Sequence, residues 1–290
     1  MHVYIHIGVH KTGTSAIQAA LTRNKMALRE RGVWYEPYDE HENHTLLAMA
    51  FQREMPSAAN MVAGYLRAAS DAGLDRCIIS SEAFSEPPLP MEALKSALQG
   101  VDTTVVAYIR RPDEIMLAAY NQLVRVDYTR WATKVTERAP YDPTYYAPLG
   151  PWMSWNLVLA PYDPAQWRDG NIVADFLSMV GVDHSGMDLE GVANRSLPPA
   201  LIEVLRLANA TTLDGPEREA FIASLFDAWD RHPDMFDHGS LITDDERREY
   251  CDRLQSVMPM YMQFLRPGFD TSFLSFDQAA TQGTGAARED

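Results

Sequence analysis

Short apolar runs alternate with segments of helical periodicity along the first two-thirds of the chain. Four of these runs predict buried strands, at Val3–Ile7, Asp75–Glu82, Thr103–Ile109 and Asn156–Asp163, and a shorter one follows Gly32 at Val33–Tyr35. Strands that alternate with helices are typical of a parallel sheet with right-handed crossovers. The pattern therefore predicts an α/β fold, a three-layer sandwich with a mainly parallel central sheet.

Helical periodicity connects these strands and dominates the last third of the chain. The predicted helices are Thr14–Arg31, His41–Gly73 with a break near Pro56, Met91–Leu98, Pro112–Arg125, Asn171–Val180, Pro199–Asn209, Pro216–Asp230 and Thr243–Leu265. We expect one domain over residues 1–277, with a helical cap at roughly 196–266. Residues 278–290 are small and polar, so a disordered tail is expected there.

The loop after the first strand carries the first candidate chemistry. Residues Gly8–Ser15 read GVHKTGTS and lead into the first predicted helix. Two glycines let the main chain approach a ligand closely, and the helix start presents N–H groups and the positive end of its dipole. Lys11 adds a full positive charge. These features together predict a phosphate-binding loop.

The position of the lysine separates this loop from the usual nucleoside triphosphate motif. That motif, G-x-x-x-x-G-K-[ST], has its lysine directly after the second glycine. Here Lys11 comes two residues before Gly13, and Thr14 and Ser15 follow the glycine. A cation placed earlier suits a ligand with a shorter 5′ chain than ATP. A strand–turn–helix with a lysine there by chance is the alternative.

The order KTGTS resembles the 5′-phosphosulfate loop of the sulfotransferases that use 3′-phosphoadenosine 5′-phosphosulfate (PAPS). The resemblance implies a P-loop NTPase-like α/β fold, PAPS as the donor and 3′-phosphoadenosine 5′-phosphate (PAP) as the product. It also implies the residues that bind the 5′ end of the donor and stabilise its charge: Lys11, Thr12, Gly13, Thr14 and Ser15.

A second motif follows the third long strand, where the chain reads YIRRP. This strand-Arg-x-Pro order resembles the 3′-phosphate signature of the same family, in a form most similar to bacterial members. The resemblance implies that Arg110 binds the 3′-phosphate, and a guanidinium suits that task because it donates two parallel charge-assisted hydrogen bonds. The sequence departs from the family at Ala118, where a serine usually binds the same phosphate.

A third polar group, Ser80–Glu82, ends the second long strand. By resemblance to sulfotransferases that have a base at this place, Glu82 is the candidate that takes the proton from the acceptor. His10, inside the loop, is the alternative base because a neutral imidazole needs no large pKa shift to act near neutrality. In an open parallel sheet ligands bind beyond the carboxyl ends of the strands. If these strands are neighbours, the three polar ends meet at one crevice.

Composition narrows the possible partners. Hydrophobic residues make up 46% of the 290 residues, charged residues 22%, and the net charge is −15. Such a charge disfavours binding to nucleic acid or to an anionic membrane, so an anionic cofactor must be held by local cations, for which Lys11, Arg110 and Arg111 are candidates. Two isolated cysteines and the lack of a leader or membrane-spanning run before the first strand indicate a cytoplasmic protein.

The sequence therefore predicts a sulfotransferase that moves a sulfuryl group from PAPS to a hydroxyl or amine by in-line transfer, without a metal ion. The acceptor is open between a glycan, a lipid, a peptide and a small molecule, and the oligomeric state is unknown. One alternative is a P-loop kinase, in which Glu82 would help to hold Mg²⁺. Another is a PAP- or nucleotide-binding protein without catalysis, which Ala118 favours.

Overall fold

The computed structural model describes residues 1–9, 11–38, 42–126, 143–190, 196–211, 213, 215–236 and 239–276. The predicted disordered tail lies outside these residues. By the density of internal contacts, the chain divides into two compact units. Unit 1 comprises Met1–Arg110, Pro143–Ala193 and Met258–Thr271, and unit 2 comprises Arg111–Asp142, Asn194–Val257 and Ser272–Asp290. The two units are described separately below.

Unit 1 is built on a five-stranded sheet. Its strands are β1 (His2–Ile7), β2 (Val33–Trp34), β3 (Arg76–Ser81), β4 (Asp102–Ile109) and β5 (Asn156–Pro161). They stand in the order β2-β3-β1-β4-β5, and each neighbouring pair is parallel. The predicted α/β fold with a parallel central sheet is thus confirmed. Because β1 lies between β3 and β4, the chain order reverses on either side of it.

The helices follow the predicted segments closely. They are α1 (Thr14–Arg23), α2 (Lys25–Glu30), α3 (Thr45–Gln52), α4 (Ala58–Asp71), α5 (Met91–Ala97), α6 (Pro112–Arg125), α7 (Ile172–Met179), α8 (Pro199–Ala208), α9 (Gly215–Arg231), α10 (Pro233–Phe236) and α11 (Asp244–Val257). The 3₁₀ turns are Glu82–Ser85, Pro143–Ser154, Pro164–Gln166, Arg168–Gly170, Met258–Met260, Met262–Phe264 and Thr271–Leu274. A search of the described ranges for a helix with the length and apolar character of a membrane span finds none.

Both faces of the sheet are buried, as continuous apolar strands require. On one face, side chains of α1, α2 and α7 pack with Ile78 of β3 and with Val106 and Tyr108 of β4 in one hydrophobic cluster. On the other face, Val3, Ile5 and Ile7 of β1 are fully buried, and α3 and α4 pack against β3. The sheet is therefore covered by helices on both sides, in three layers.

The long helix predicted from Thr14 to Arg31 is broken at Asn24. The Asn24 side chain donates to the Ala20 carbonyl at 2.8 Å and to the Asp188 carbonyl at 2.6 Å, while its oxygen accepts from the Asp188 N–H at 3.0 Å. An amide that pairs with backbone groups offers the chain an alternative to the helical pattern. The prediction was wrong here because the partner is distant in sequence.

The predicted helix Thr243–Leu265 ends at Val257, where unit 1 resumes. Proline at position 259 removes a backbone donor, and short 3₁₀ turns replace the helix. The segment that follows lies along β5, since the Arg266 N–H donates to the Leu159 carbonyl at 3.0 Å. Arg266 is therefore part of unit 1, although it lies late in the sequence.

Arg266, which is partly exposed, forms an ion pair with the buried Asp175 of α7. Its guanidinium donates to the two carboxylate oxygens at 2.7 and 2.8 Å, and the Tyr108 hydroxyl donates to the same carboxylate at 2.9 Å. Asp175 is 1% exposed. The contacts link α7, β4 and the late segment of unit 1.

Unit 2 is helical and has its own core. Apolar side chains of α6, α8, α9 and α11 form one cluster, which includes Tyr120, Ile202 and Trp229. Beside this core, Arg218 is 3% exposed and donates to the Val124 carbonyl at 2.8 Å and the Asn209 side chain at 3.0 Å. These contacts satisfy polar groups that the helix ends would otherwise bury.

We expect Arg266→Met to lower the free energy of unfolding by about 3 kcal/mol, because it leaves the Asp175 carboxylate buried without its cation. The matched control is Arg168→Met, since the Arg168 side chain is 66% exposed and only 3.8 Å from the exposed Asp169. That change should cost about 0.5 kcal/mol or less. Urea unfolding measures both, and equal losses in the two variants would contradict the assignment.

Candidate functional site

Three polar strand ends lie side by side in unit 1. The central strand β1 leads to Gly8, its neighbour β3 leads to Glu82, and its other neighbour β4 leads to Arg110. The Gly8 N–H donates to the Ser81 carbonyl at 3.3 Å, which extends the β1–β3 pairing beyond the strands. The edge where strand order reverses is where open α/β sheets bind ligands.

At Gly8 the chain passes close to two neighbouring segments. A Cβ atom at this position would lie 2.5 Å from Thr14 Oγ1 and 2.6 Å from Glu82 Cγ. Real Cβ atoms do not approach other atoms so closely, so only glycine fits without a rearrangement. The Glu82 side chain and the first residue of α1 therefore converge on the same point of the loop.

The loop turns through two residues in left-handed backbone conformations. Lys11 has φ 65° and Gly13 has φ 77°. Between them, the buried Thr12 hydroxyl donates to the Val9 carbonyl at 2.6 Å and closes the turn. Gly13 is the N-cap of α1 and has no side chain to cap the helix. The Ala16 N–H donates to the Gly13 carbonyl at 3.1 Å, so the N–H groups of Thr14 and Ser15 are those that the helix start presents to the loop.

Thr14 provides a test of whether an anion fits this loop. Its side chain is 2% exposed, and Oγ1 has no hydrogen-bond partner among the described residues. An unpartnered buried hydroxyl costs about 1–3 kcal/mol, which a phosphate oxygen would recover. The first turn of α1 contains no acidic residue that would repel an anion. Together with the helix dipole, these groups fit a phosphate.

Arg110 contacts the loop directly. Its Nη1 donates to the Lys11 carbonyl at 2.8 Å, and its guanidinium carbon lies 4.8 Å from the centre of the Tyr162 ring. The same ring lies 3.1 Å from the point where a Cβ atom on Gly13 would stand. The sequence did not predict Tyr162 as a site residue. Its place directly after β5 is the feature that could have indicated it, but only once β5 is known to pair with β4.

Glu82 begins a 3₁₀ turn, Glu82–Ser85, whereas the sequence predicted it as the last strand residue. The strand stops because the Ser81 hydroxyl accepts from the Ala83 N–H at 3.1 Å and caps the turn. The buried Ser85 hydroxyl then donates to the Gly8 carbonyl at 2.9 Å. The turn that carries Glu82 is thereby bound to the phosphate-binding loop.

A buried polar cluster fixes the end of β3 just before Glu82. The Ser80 hydroxyl lies 2.9 Å from His6 Nδ1 and accepts from the Gln18 amide at 3.1 Å. The Ser80 N–H donates to His44 Nδ1 at 3.2 Å. Burial lowers the pKa of both histidines to about 3, so both imidazoles are neutral. Strand β3 is held to β1, to α1 and to the residue that precedes α3.

The structure brings most of the predicted site residues together in unit 1: Lys11, Thr12, Gly13, Thr14, Ser15, Glu82 and Arg110. The alternative base, His10, lies outside the described residues. Arg111, the third expected cation, is in unit 2, where its guanidinium pairs with the buried Asp113 at 2.6 Å and with Glu114 at 3.2 Å. Within the described ranges, no three His, Cys, Asp or Glu side chains form a group that could hold a metal ion.

Comparisons with known proteins add one structural similarity. No family model matches the chain, and no curated protein matches it. Among solved structures, a sulfotransferase from Alicyclobacillus acidocaldarius is similar over 79% of this chain and 98% of its own, with 17% sequence identity and a TM-score of 0.39. The interpretation of the site therefore rests on the geometry of the loop and the strand ends.

The buried histidines predict an acid-sensitive stability. Native His44 stays neutral down to its pKa of about 3, whereas the unfolded chain binds a proton below the ordinary value of 6.5. Stability is therefore complete above pH 6.5 and is lost as the pH falls toward 3. Between pH 6 and 5, unfolding free energy should fall by about 1 kcal/mol more in the native protein than in His44→Gln. Parallel urea-unfolding profiles over this range would contradict the prediction.

Proposed function

We propose that this protein is a sulfotransferase, which moves a sulfuryl group from PAPS to a hydroxyl or amine acceptor. The observation that carries the proposal is the loop after β1. Lys11 stands ahead of Gly13 in a left-handed turn, and Glu82 and Arg110 directly follow the two strands that flank β1. A cation at this place, in a loop with no lysine after Gly13, suits a 5′-phosphosulfate better than a triphosphate.

The loop would hold the 5′-phosphate of the donor. The backbone N–H groups of Thr12–Ser15 and the unpartnered Thr14 hydroxyl are the donors, and the positive end of α1 adds to them. Gly8 and Gly13 keep side chains away from the main chain here. A donor set of this kind binds an anion without a bound metal ion.

Lys11 would stabilise the negative charge that builds on the bridging oxygen between phosphate and sulfate. A cation placed in advance stabilises charge that develops in the transition state without reorganisation. Arg110 would bind the 3′-phosphate with its guanidinium. PAPS, when bound, supplies the sulfuryl group. The protein contributes positioning and electrostatic stabilisation, as in phosphoryl transfer.

Glu82 would accept the proton of the acceptor hydroxyl or amine. Its Cγ lies 2.6 Å from the Cβ position that glycine leaves empty at Gly8, so the side chain belongs to the loop region. The capped turn Glu82–Ser85 fixes its backbone. A general base must lie within hydrogen-bond reach of the proton that it takes, and this placement supports Glu82. His10 is the alternative base.

The acceptor in this proposal is a glycan, a lipid, a peptide or a small molecule that carries a hydroxyl or an amine. We place the protein in the cytoplasm. Support for that location comes from Cys77 and Cys251, which are buried free thiols.

The proposal predicts that PAP stabilises the protein and that ATP with Mg²⁺ does not. At one hundred times its dissociation constant, PAP should add about 2.7 kcal/mol to the free energy of unfolding, measured as a rise in unfolding temperature. In Lys11→Ala, the affinity for PAP should fall about tenfold or more, because a charge-assisted contact is lost.

The unfolding temperature of Lys11→Ala without ligand is the control and should match that of the native protein. Stabilisation by ATP with Mg²⁺ in place of PAP would favour the kinase. Stabilisation by PAP without transfer of labelled sulfate from PAPS to any of the four acceptor classes would favour the binding protein without catalysis.

Glu82→Gln should reduce sulfuryl transfer about 100-fold or more with little effect on the affinity for PAP, because the amide keeps the shape of the side chain and removes the base. The measurement is the transfer of labelled sulfate from PAPS to an acceptor identified in the screen. Near-normal turnover in this variant would assign the base to His10 instead.

A further inference from the structure

The contact between Arg110 and Lys11 joins two parts of the loop site that the proposed function treats as separate. Arg110 follows β4, Lys11 follows β1, and the two residues are 99 positions apart in the chain. The guanidinium donates to the Lys11 main-chain carbonyl at 2.8 Å. The residue proposed for the 3′-phosphate thus holds the backbone of the residue proposed for the 5′ end.

The backbone of Lys11 needs such support. At φ 65°, Lys11 is in a left-handed conformation that residues with a side chain rarely adopt. Residues held in this way persist only when their surroundings determine the conformation. The Thr12 hydroxyl fixes the next residue through the Val9 carbonyl at 2.6 Å, and Arg110 fixes the Lys11 carbonyl.

Tyr162 fixes the guanidinium in turn. The centre of its ring lies 4.8 Å from the Arg110 guanidinium carbon, and a ring carbon lies 3.1 Å from the point where a Cβ atom on Gly13, the other left-handed residue of the loop, would stand. Trp167 packs on Tyr162 at a centroid distance of 5.1 Å and donates its indole N–H to the Pro161 carbonyl at 2.8 Å. The orientation of Arg110 is therefore set from the β5 side of the sheet.

A guanidinium has five N–H donors in a planar fork. One of its nitrogens can bind a main-chain carbonyl while another binds a phosphate. A lysine ammonium group is instead a compact point charge without this planar geometry. Both contacts then depend on one rigid plane, and movement of that plane changes the two ends of the site together.

We propose that Arg110 is a positioning residue for the 5′ loop. It holds the Lys11 backbone, and through that backbone it positions the groups that bind the 5′-phosphate. It does so without binding the 5′-phosphate itself. This inference rests on the proposed function for the identity of the ligand. Its consequence is that loss of Arg110 weakens the binding even of ligands that have no 3′-phosphate.

The test compares three ligands by calorimetric titration: PAP, adenosine 5′-phosphate and adenosine 3′-phosphate. The variant is Arg110→Met, which has no donor and a side chain of similar length. We expect its affinity for adenosine 5′-phosphate to fall about tenfold, at an unchanged unfolding temperature of the free protein. Arg110→Lys should restore that affinity to within about threefold of the native value, because its ammonium can still donate to the Lys11 carbonyl.

Tyr162→Ala is the second variant, with Tyr162→Phe as its matched control. Loss of the ring should lower the affinity for adenosine 5′-phosphate. Phenylalanine keeps the contact with the guanidinium and should leave that affinity unchanged. If Arg110→Met does not fold, Arg110→Leu, which also has no donor, replaces it with the same expected results.

The outcomes separate this inference from the proposed function. One outcome is that Arg110→Met lowers the affinity for PAP and adenosine 3′-phosphate but leaves the affinity for adenosine 5′-phosphate unchanged. Arg110 then only binds the 3′-phosphate. The inference is overturned by that result, while the proposed function stands. If the native protein binds none of the three ligands, the proposed function fails and the inference fails with it.

Discussion

The close approach of three chain segments at Gly8 is the constraint on which the site depends. Thr14 of α1 and Glu82 after β3 both lie within 2.6 Å of the position that a Cβ atom on Gly8 would occupy. The Ser85 hydroxyl and the Ser81 carbonyl hold the same residue through its carbonyl and its N–H. Because position 8 has no side chain, the start of α1, Glu82 and the loop can lie close together at one edge of the sheet.

Around this point, polar contacts determine the shape of the loop in place of regular secondary structure. Lys11 and Gly13 have left-handed conformations that helix and strand do not supply, and each is held from outside the loop. Arg110 holds the Lys11 carbonyl, and the Tyr162 ring occupies the space beside Gly13 that a side chain there would need. Functional sites commonly keep such strained backbone where surrounding contacts determine it. The described residues of the loop therefore owe their conformation to neighbouring segments as well as to the hydrogen bond between Thr12 and Val9.

The layer below the loop has a different role. His6, Ser80, Gln18 and His44 form a buried hydrogen-bonded group that locks the register of β3 against β1 and α1. Polar groups in an apolar core specify one arrangement, because a shifted strand would leave them without partners. A shift of one residue would also move Glu82 away from the loop. The neutral histidines, with pKa values near 3, are suited to this structural task at neutral pH.

Local pattern was sufficient for the strands, most helices and the loop Gly8–Ser15, because apolar periodicity, glycine and a helix start act over a few residues. The convergence of Glu82 and Arg110 on that loop followed only once the strand order was known. The break at Asn24, the attachment of the turn Glu82–Ser85 to the loop, and the partners of Arg110 were decided by tertiary structure. Each depends on a group brought close by the fold: the Asp188 backbone, the Gly8 carbonyl or the Tyr162 ring. A sequence states which groups can bind, but strand pairing and packing decide which of them meet.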